Sequence, residues 1–310
     1  KGRSEEGILM PSSEKDVVII KLNNGYNIGF EKKDIEKIEI ISKKKKTAKN
    51  ESNKIFTDKN LKTISILHCG GTIASKVDYE TGAVKAKFTP EELLGMFPEL
   101  GKIANIKSKL VANMLSENMR FAHYNTIAKE IEKEIKAGTD GIIITHGTDM
   151  LHYTAAALSF SLEGLNIPVL LVGAQRSSDR GSSDAFMNLR CAAQFIVNSD
   201  FSEVAVCMHN SSEDDLCAVI SGVRSRKMHS SRRDAFKSIN SENFALIDNE
   251  GGIAWQRKDY TKQEDKKKLS LKLFDDKLKI GLLKAHPQMF AEELIAYGKF
   301  SGLVLEGTGL

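Results

Sequence analysis

The stretch Gly141-Ile142-Ile143-Ile144-Thr145-His146-Gly147-Thr148-Asp149 decides the fold. Its first five residues are an apolar run of strand length, and Met150–Leu162 behind it is apolar nearly all round, as in a buried helix. A strand that is apolar throughout, rather than alternating, is covered on both faces, which calls for helices above and below a parallel sheet. The same pattern recurs outward from this point. Thr63–His68 runs into Cys69-Gly70-Gly71-Thr72, and Pro168–Val172 and Glu203–Met208 are further apolar runs. Between the first two strands, Phe121–Lys136 carries Tyr124, Ile127, Ala128, Ile131 and Ile135 at helical spacing, and Asp184–Val197 is another helix. Thr89-Pro90-Glu91-Glu92 has the form of a helix start, with Thr89 as cap and Pro90 first. Residues 61–257 are therefore expected to form an α/β domain on a doubly wound parallel sheet. Ligands of such sheets bind outside the carboxyl ends of the strands.

Ahead of this domain, residues 1–42 alternate β-branched and polar residues, with Asn23-Asn24-Gly25 as a hairpin turn, and form a small all-β module. Residues 43–60 begin Lys43-Lys44-Lys45-Lys46 and are almost free of apolar residues, so they are read as a charged linker rather than a phosphate-binding patch. The chain opens at Lys1 without a methionine and stops at Leu310 after a strand-like segment, and both ends read as cut inside folded units. With 310 residues, 41% hydrophobic, there is ample material for more than one domain. A net charge of +4 gives no ground for a nucleic-acid-coating protein. No apolar run approaches bilayer length and no signal peptide opens the chain, so a cytoplasmic protein without membrane contact is expected. Cys69, Cys191, Cys207 and Cys217 lack paired spacing and are read as buried free thiols.

The chemistry lies at the strand ends. Gly70-Gly71 lets the chain turn sharply and places Thr72 at the end of one strand; Gly147 does so for Thr148, with Asp149 next and a helix following. Amides at that helix start can receive an anion or a developing oxyanion. Lys227, in Arg224-Ser225-Arg226-Lys227-Met228, becomes a proton-relay candidate if it reaches an aspartate and a hydroxyl. His68, His146 and His152 adjoin these segments and are read as structural histidines. No zinc-ligand spacing and no phosphate-binding G-x-x-x-x-G-K-[ST] motif is present.

Two signatures, Thr63–Ser75 (T-I-S-I-L-H-C-G-G-T-I-A-S) and Gly141–Ala155 (G-I-I-I-T-H-G-T-D-M-L-H-Y-T-A), resemble the L-asparaginase family. Ser116-Glu117-Asn118-Met119 stands where that family has its substrate-binding serine loop, Gly173-Ala174-Gln175-Arg176 resembles its G-A-[MQ]-R segment, and Lys227-Met228-His229-Ser230-Ser231 its lysine segment. The resemblance implies Thr72 as primary nucleophile with Tyr79 assisting, and Thr148, Asp149 and Lys227 as a second triad. It implies that Ser116 and Asp149 hold the substrate's α-carboxylate and α-ammonium groups. Glu117 stands in place of a glutamine found in relatives and could also pair with the ammonium. The asparaginase-like fold further implies a linker at 258–278 and the start of a smaller second α/β domain at 279–310.

The front module carries a second resemblance. Gly7–Ser12 and Ile19–Gly29 are similar to the N-terminal β-barrel of the D-type subunits of glutamyl-tRNA(Gln) amidotransferase, which simple asparaginases lack. That family hydrolyses glutamine and passes ammonia to the E-type subunit of the same amidotransferase, which uses ATP and Mg to amidate Glu-tRNA(Gln). The resemblance implies a homodimer within a heterotetramer, no cofactor or metal on this chain, and tRNA and ATP handled mainly by the partner. The rival readings are a free-standing L-asparaginase and a non-catalytic docking scaffold.

Overall fold

In the computed structural model, the described residues are 4–10, 16–21, 27–41, 58–71, 73, 75–77, 84–86, 95, 97–176, 182–264 and 268–309. In the front module β1 (Ile8–Met10), β2 (Val17–Lys21) and β3 (Asn27–Glu31) form an antiparallel three-stranded sheet, with Val18 opposite Phe30 and Ile20 opposite Ile28. The expected turn at 23–25, most of the expected linker and the helix start at Thr89 lie outside the described residues.

The large unit follows in chain order. Strand β4 (Thr63–His68) leads to a small antiparallel hairpin, β5 (Ser75–Val77) with β6 (Val84–Ala86). Next come α1 (Leu100–Ile103), β7 (Asn105–Leu110), α2 (Phe121–Lys136), β8 (Gly141–Thr145) and α3 (Leu151–Ser161). After them stand β9 (Leu162–Glu163), β10 (Val169–Val172), α4 (Ala185–Asn198), β11 (Val204–His209) and β12 (Leu216–Ser221). A hairpin of β13 (Ser225–Lys227) and β14 (Phe236–Ser238) precedes β15 (Ala245–Asp248) and β16 (Ile253–Trp255).

Eight of these strands form one sheet in the order β16-β15-β12-β11-β10-β8-β4-β7. The five from β11 to β7 are parallel, as the sequence leads one to expect. The other three, β12, β15 and β16, are each paired antiparallel to the neighbour on their β11 side, which makes the sheet mixed rather than wholly parallel. The cause lies in the connections. The loop 210–215 between β11 and β12 is far too short for a crossover helix, so the chain can only fold back.

Side-chain alternation divides the core in two. Ile64 and Ile66, Ile143, Leu170 and Val172, and Ala205 and Cys207 face one way, where α1 and α4 supply Leu100, Leu189 and Phe195. Leu67, Ile142 and Ile144, Val169 and Leu171, and Val206 and Met208 face the other, where α2 and α3 supply Ile127, Ile131, Ala155 and Leu158. Helices on both faces account for the continuous apolar runs of the inner strands. Edge strand β7, Asn-Ile-Lys-Ser-Lys-Leu, lacks such a run because its outer half meets solvent. The four cysteines are buried and free.

The stretch 258–278 runs back over this unit: Glu203 Oε1 accepts from the Thr261 amide, and β17 (Ser270–Leu271) pairs with β9. Asn125 holds both the amide and the carbonyl of Phe274. Beyond it, β18 (Ile280–Lys284), α5 (Ala291–Ile295) and β19 (Gly302–Glu306) make a βαβ unit with parallel strands. Among the described residues no helix is long and apolar enough to cross a membrane.

Candidate active site

Strands β4 and β8 are neighbours in register, with His68 opposite Thr145, so their carboxyl ends stop at one level. Each then enters a glycine turn. Gly70 and Gly71 adopt φ of +94° and +88°, which a side chain would strain. Space forbids one as well: a Cβ on Gly70 would lie 2.4 Å from the Met114 carbonyl oxygen, and one on Gly71 would lie 2.4 Å from the Gly147 nitrogen. Gly147 is pressed on its own account against the Cβ of Ser116. Three loops remote in sequence thus meet backbone to backbone where the parallel-sheet rule places a ligand.

His146 anchors the second loop from beneath. Its Nδ1 lies 2.7 Å from the Gly147 carbonyl, which can only accept, so Nδ1 carries the proton and Nε2 accepts from the Thr154 hydroxyl at 2.9 Å. Burial lowers this histidine to about 4, and it stays neutral at physiological pH. His68 is tied to Thr145 and Ser108 through its two ring nitrogens. Burial pushes the Cys69 thiol up to about 12, which disqualifies it as a thiolate nucleophile beside the first glycine turn.

Thr148 is 7% exposed and its hydroxyl has two partners. It donates to Gln175 Oε1 at 3.0 Å and accepts from Lys227 Nζ at 2.8 Å. The same ammonium donates to Asp149 Oδ1 at 2.6 Å. The β13–β14 hairpin delivers Lys227, pairing it with the buried Phe236. Ser116, buried at the start of a single 3-10 turn (Ser116–Asn118), accepts from the Met150 amide at 3.3 Å and donates to exposed Glu117 at 3.0 Å. The structure therefore brings Thr148, Asp149 and Lys227 into direct contact and sets Ser116 against Gly147. Thr72 and Tyr79 lie outside the described residues.

Two contributors have no role assigned from the sequence. Gln175 is there only one letter in a family-like segment, yet it touches the Thr148 hydroxyl. Asp184, fully buried, accepts from the backbone amides of Gln175 and Arg176. His152 lines an open cleft of about 300 Å³ with Asp149, Lys227, Met228, His229 and Ser230. Burial, helped by the nearby Arg226 and Lys227 charges, lowers its pKa. Among the described residues no group of three or more His, Cys, Asp or Glu side chains could hold a metal ion.

The family description "Asparaginase, N-terminal" matches residues 63–260, and "GatD N-terminal domain" matches residues 1–41. The D-type subunit of glutamyl-tRNA(Gln) amidotransferase from Pyrococcus furiosus is 50% identical over 315 residues, covering 98% of this chain and 70% of that protein. The chain belongs to the family of glutamyl-tRNA(Gln) amidotransferase D-type subunits. Another member, from Methanopyrus kandleri, is 45% identical over 317 residues, with 98% and 69% covered. Among solved structures, the thermostable L-asparaginase from Thermococcus kodakarensis is similar with a TM-score of 0.67 at 30% identity, over 80% of this chain and 71% of that one. A probable cytoplasmic L-asparaginase from Campylobacter jejuni gives 0.64 at 29%, over 80% and 74%. The asparaginase-like fold is thus shared with L-asparaginases. The D-type relatives and the front-module match favour the reading as part of an amidotransferase over a free-standing L-asparaginase.

Proposed function

We propose that this chain hydrolyses the side-chain amide of glutamine and supplies the ammonia to a partner, the amidotransferase's E-type subunit, which amidates the glutamate carried on tRNA(Gln). The observation that carries the reading is the Lys227 ammonium within hydrogen-bond reach of both the Thr148 hydroxyl and the Asp149 carboxylate, at the carboxyl end of β8. A threonine hydroxyl is a weak nucleophile at neutral pH and needs a base in contact. Lys227 is placed to take the proton once it has given up its own, and Asp149 holds it in position.

In this mechanism a threonine Oγ, Thr72 or Thr148, attacks the amide carbon and its proton passes through Lys227 to the departing nitrogen. Ammonia leaves, and water then hydrolyses the acyl-enzyme and restores the hydroxyl. Tyr79 assists at Thr72, while Ser116, Asp149 and Glu117 receive the substrate's α-carboxylate and α-ammonium groups. Backbone amides at the glycine turns face the developing oxyanion, and loss of one such donor costs on the order of a hundredfold to a thousandfold in rate. This chain needs no metal or cofactor for these steps; ATP and Mg serve the partner's phosphorylation step, and tRNA is held mainly by the partner. The assembly is a homodimer within a heterotetramer, in the cytoplasm.

The test is ammonia release from glutamine and from asparagine, each with and without the E-type partner and Glu-tRNA(Gln). Glutamine-dependent amidation that Thr72→Ala and Thr148→Ala abolish, and that added ammonia restores, is the expected result. Full glutamine-dependent activity in Thr148→Ala sinks the assignment. Asparagine hydrolysis indifferent to partner and tRNA returns the chain to the free-standing asparaginases.

A further inference from the structure

We infer that Gln175 is the positioning residue of the Thr148 side chain, holding its hydroxyl oxygen toward Lys227 while that lysine is still an ammonium and before the proton transfer. The inference rests on the reading of Thr148 as a reacting or proton-relaying group.

The Thr148 hydroxyl has one proton and two lone pairs, and its surroundings use them unequally. Lys227 Nζ, an ammonium without lone pairs, can only donate, so the oxygen faces it as acceptor at 2.8 Å. The proton goes the other way, to Gln175 Oε1 at 3.0 Å. The rest of the side chain is held too: the Thr148 methyl sits so close to Gly173 that a Cβ there would lie 2.7 Å from Cγ2. Methyl, proton and lone pair each have a fixed neighbour, which leaves a single rotamer.

Gln175 is itself clamped. Its backbone amide donates to both carboxylate oxygens of Asp184, at 3.1 and 3.0 Å, and the Arg176 amide donates to the same group. Asn188 Nδ2 spans the Gly173 carbonyl and Asp184 Oδ2, so both ends of the segment 173–176 are tied to α4. The side chain's other end argues for purpose. Among the described residues Gln175 Nε2 is buried without a hydrogen-bond partner, a desolvation cost that an apolar side chain of the same length would avoid. A residue present only to fill space gains nothing from that amide. One that must accept a hydrogen bond from the Thr148 hydroxyl, and so hold its rotamer before the proton moves to Lys227, cannot do without it.

The decisive comparison is Gln175→Met, of similar length but with no strong acceptor, beside Gln175→Glu, which keeps an acceptor oxygen. In Gln175→Met, kcat for ammonia release should fall about tenfold to a hundredfold with KM little changed. The thermal midpoint should hold or rise, since the unpaired buried nitrogen is gone. A space-filling role would move rate and stability down together. The second arm needs no substrate: the order parameter of the Thr148 γ-methyl, measured by NMR, should drop in Gln175→Met and be retained in Gln175→Glu. An unchanged methyl in Gln175→Met overturns the inference. A wild-type chain that releases no ammonia from either amide, with the methyl responding as stated, defeats the functional reading and leaves the positioning of Thr148 standing.

Discussion

Lowering the pH should destabilise the fold from inside the protein, through His146 beneath the second signature loop. The imidazole is fully buried, donates from Nδ1 to the Gly147 carbonyl and accepts at Nε2 from Thr154. A protonated ring cannot accept, so charging it reverses the Thr154 contact, the hydroxyl then accepting from Nε2–H, and places an uncompensated charge in the core. Burial therefore holds its pKa at about 4, against 6.5 when exposed. A base depressed in the folded state stabilises the fold above its unfolded pKa, and that contribution disappears as pH falls from about 6.5 to about 4. The full difference is about 3 kcal/mol, of which about 2 kcal/mol is gone by pH 5. Against a total stability of about 5–15 kcal/mol this is a large share. The assay is urea unfolding of the wild type and His146→Gln at several pH values from about 7.5 to about 4.5. Glutamine does not titrate, so the difference between the two proteins isolates this one group. Wild type should begin more stable and lose its advantage as the pH falls. A difference that stays constant across the range would refute the argument from burial.

Three further perturbations test the site. Lys227→Met should cut ammonia release at least about a hundredfold, the usual worth of a proton-transfer group, with little change in the thermal midpoint because the orphaned Asp149 side chain is half in solvent; normal ammonia release would leave Lys227 a structural cation with no part in the proton transfer. Gly71→Ala should cost about 1–2 kcal/mol through its positive φ alone and displace Gly147, so both stability and ammonia release should drop; an unaltered rate would separate this contact from the site. Asp184→Asn turns one of two acceptor oxygens into a donor facing the Gln175 and Arg176 amides, and should destabilise by about 1–3 kcal/mol with faster hydrogen exchange at those amides; unchanged exchange would count against the clamp.

What the sequence discloses about the fold follows from burial. Strands covered on both faces write continuous apolar runs, and Thr63–His68 and Gly141–Thr145 are found with the bounds read from the chain. Phe121–Lys136 is likewise found entire, since one face of α2 is packed and the other wet. Less is legible where a strand is half exposed or reversed. The edge strand β7 has no apolar run, and nothing in Leu216–Ser221 says that β12 runs antiparallel; only the shortness of 210–215 does.

The site is legible for a different reason, and only in part. Parallel neighbours in register force their carboxyl ends together, so two glycine turns following β4 and β8 must emerge side by side. Local sequence plus one pairing rule therefore places Gly71 against Gly147. Lys227 comes from 79 residues beyond Thr148, on a hairpin whose approach depends on how β13 and β14 leave the sheet, and no local pattern encodes that. Only the family resemblance points to it. Gln175 is harder still, because its role depends on one oxygen reaching one hydroxyl after Asp184 and Asn188 have set the backbone. A residue whose function is to hold another's hydroxyl in place leaves no periodicity and no charge pattern. It becomes visible only when the buried polar atoms around Thr148 are paired off and Gln175 Nε2 is found, among the described residues, to be one of those left without a partner.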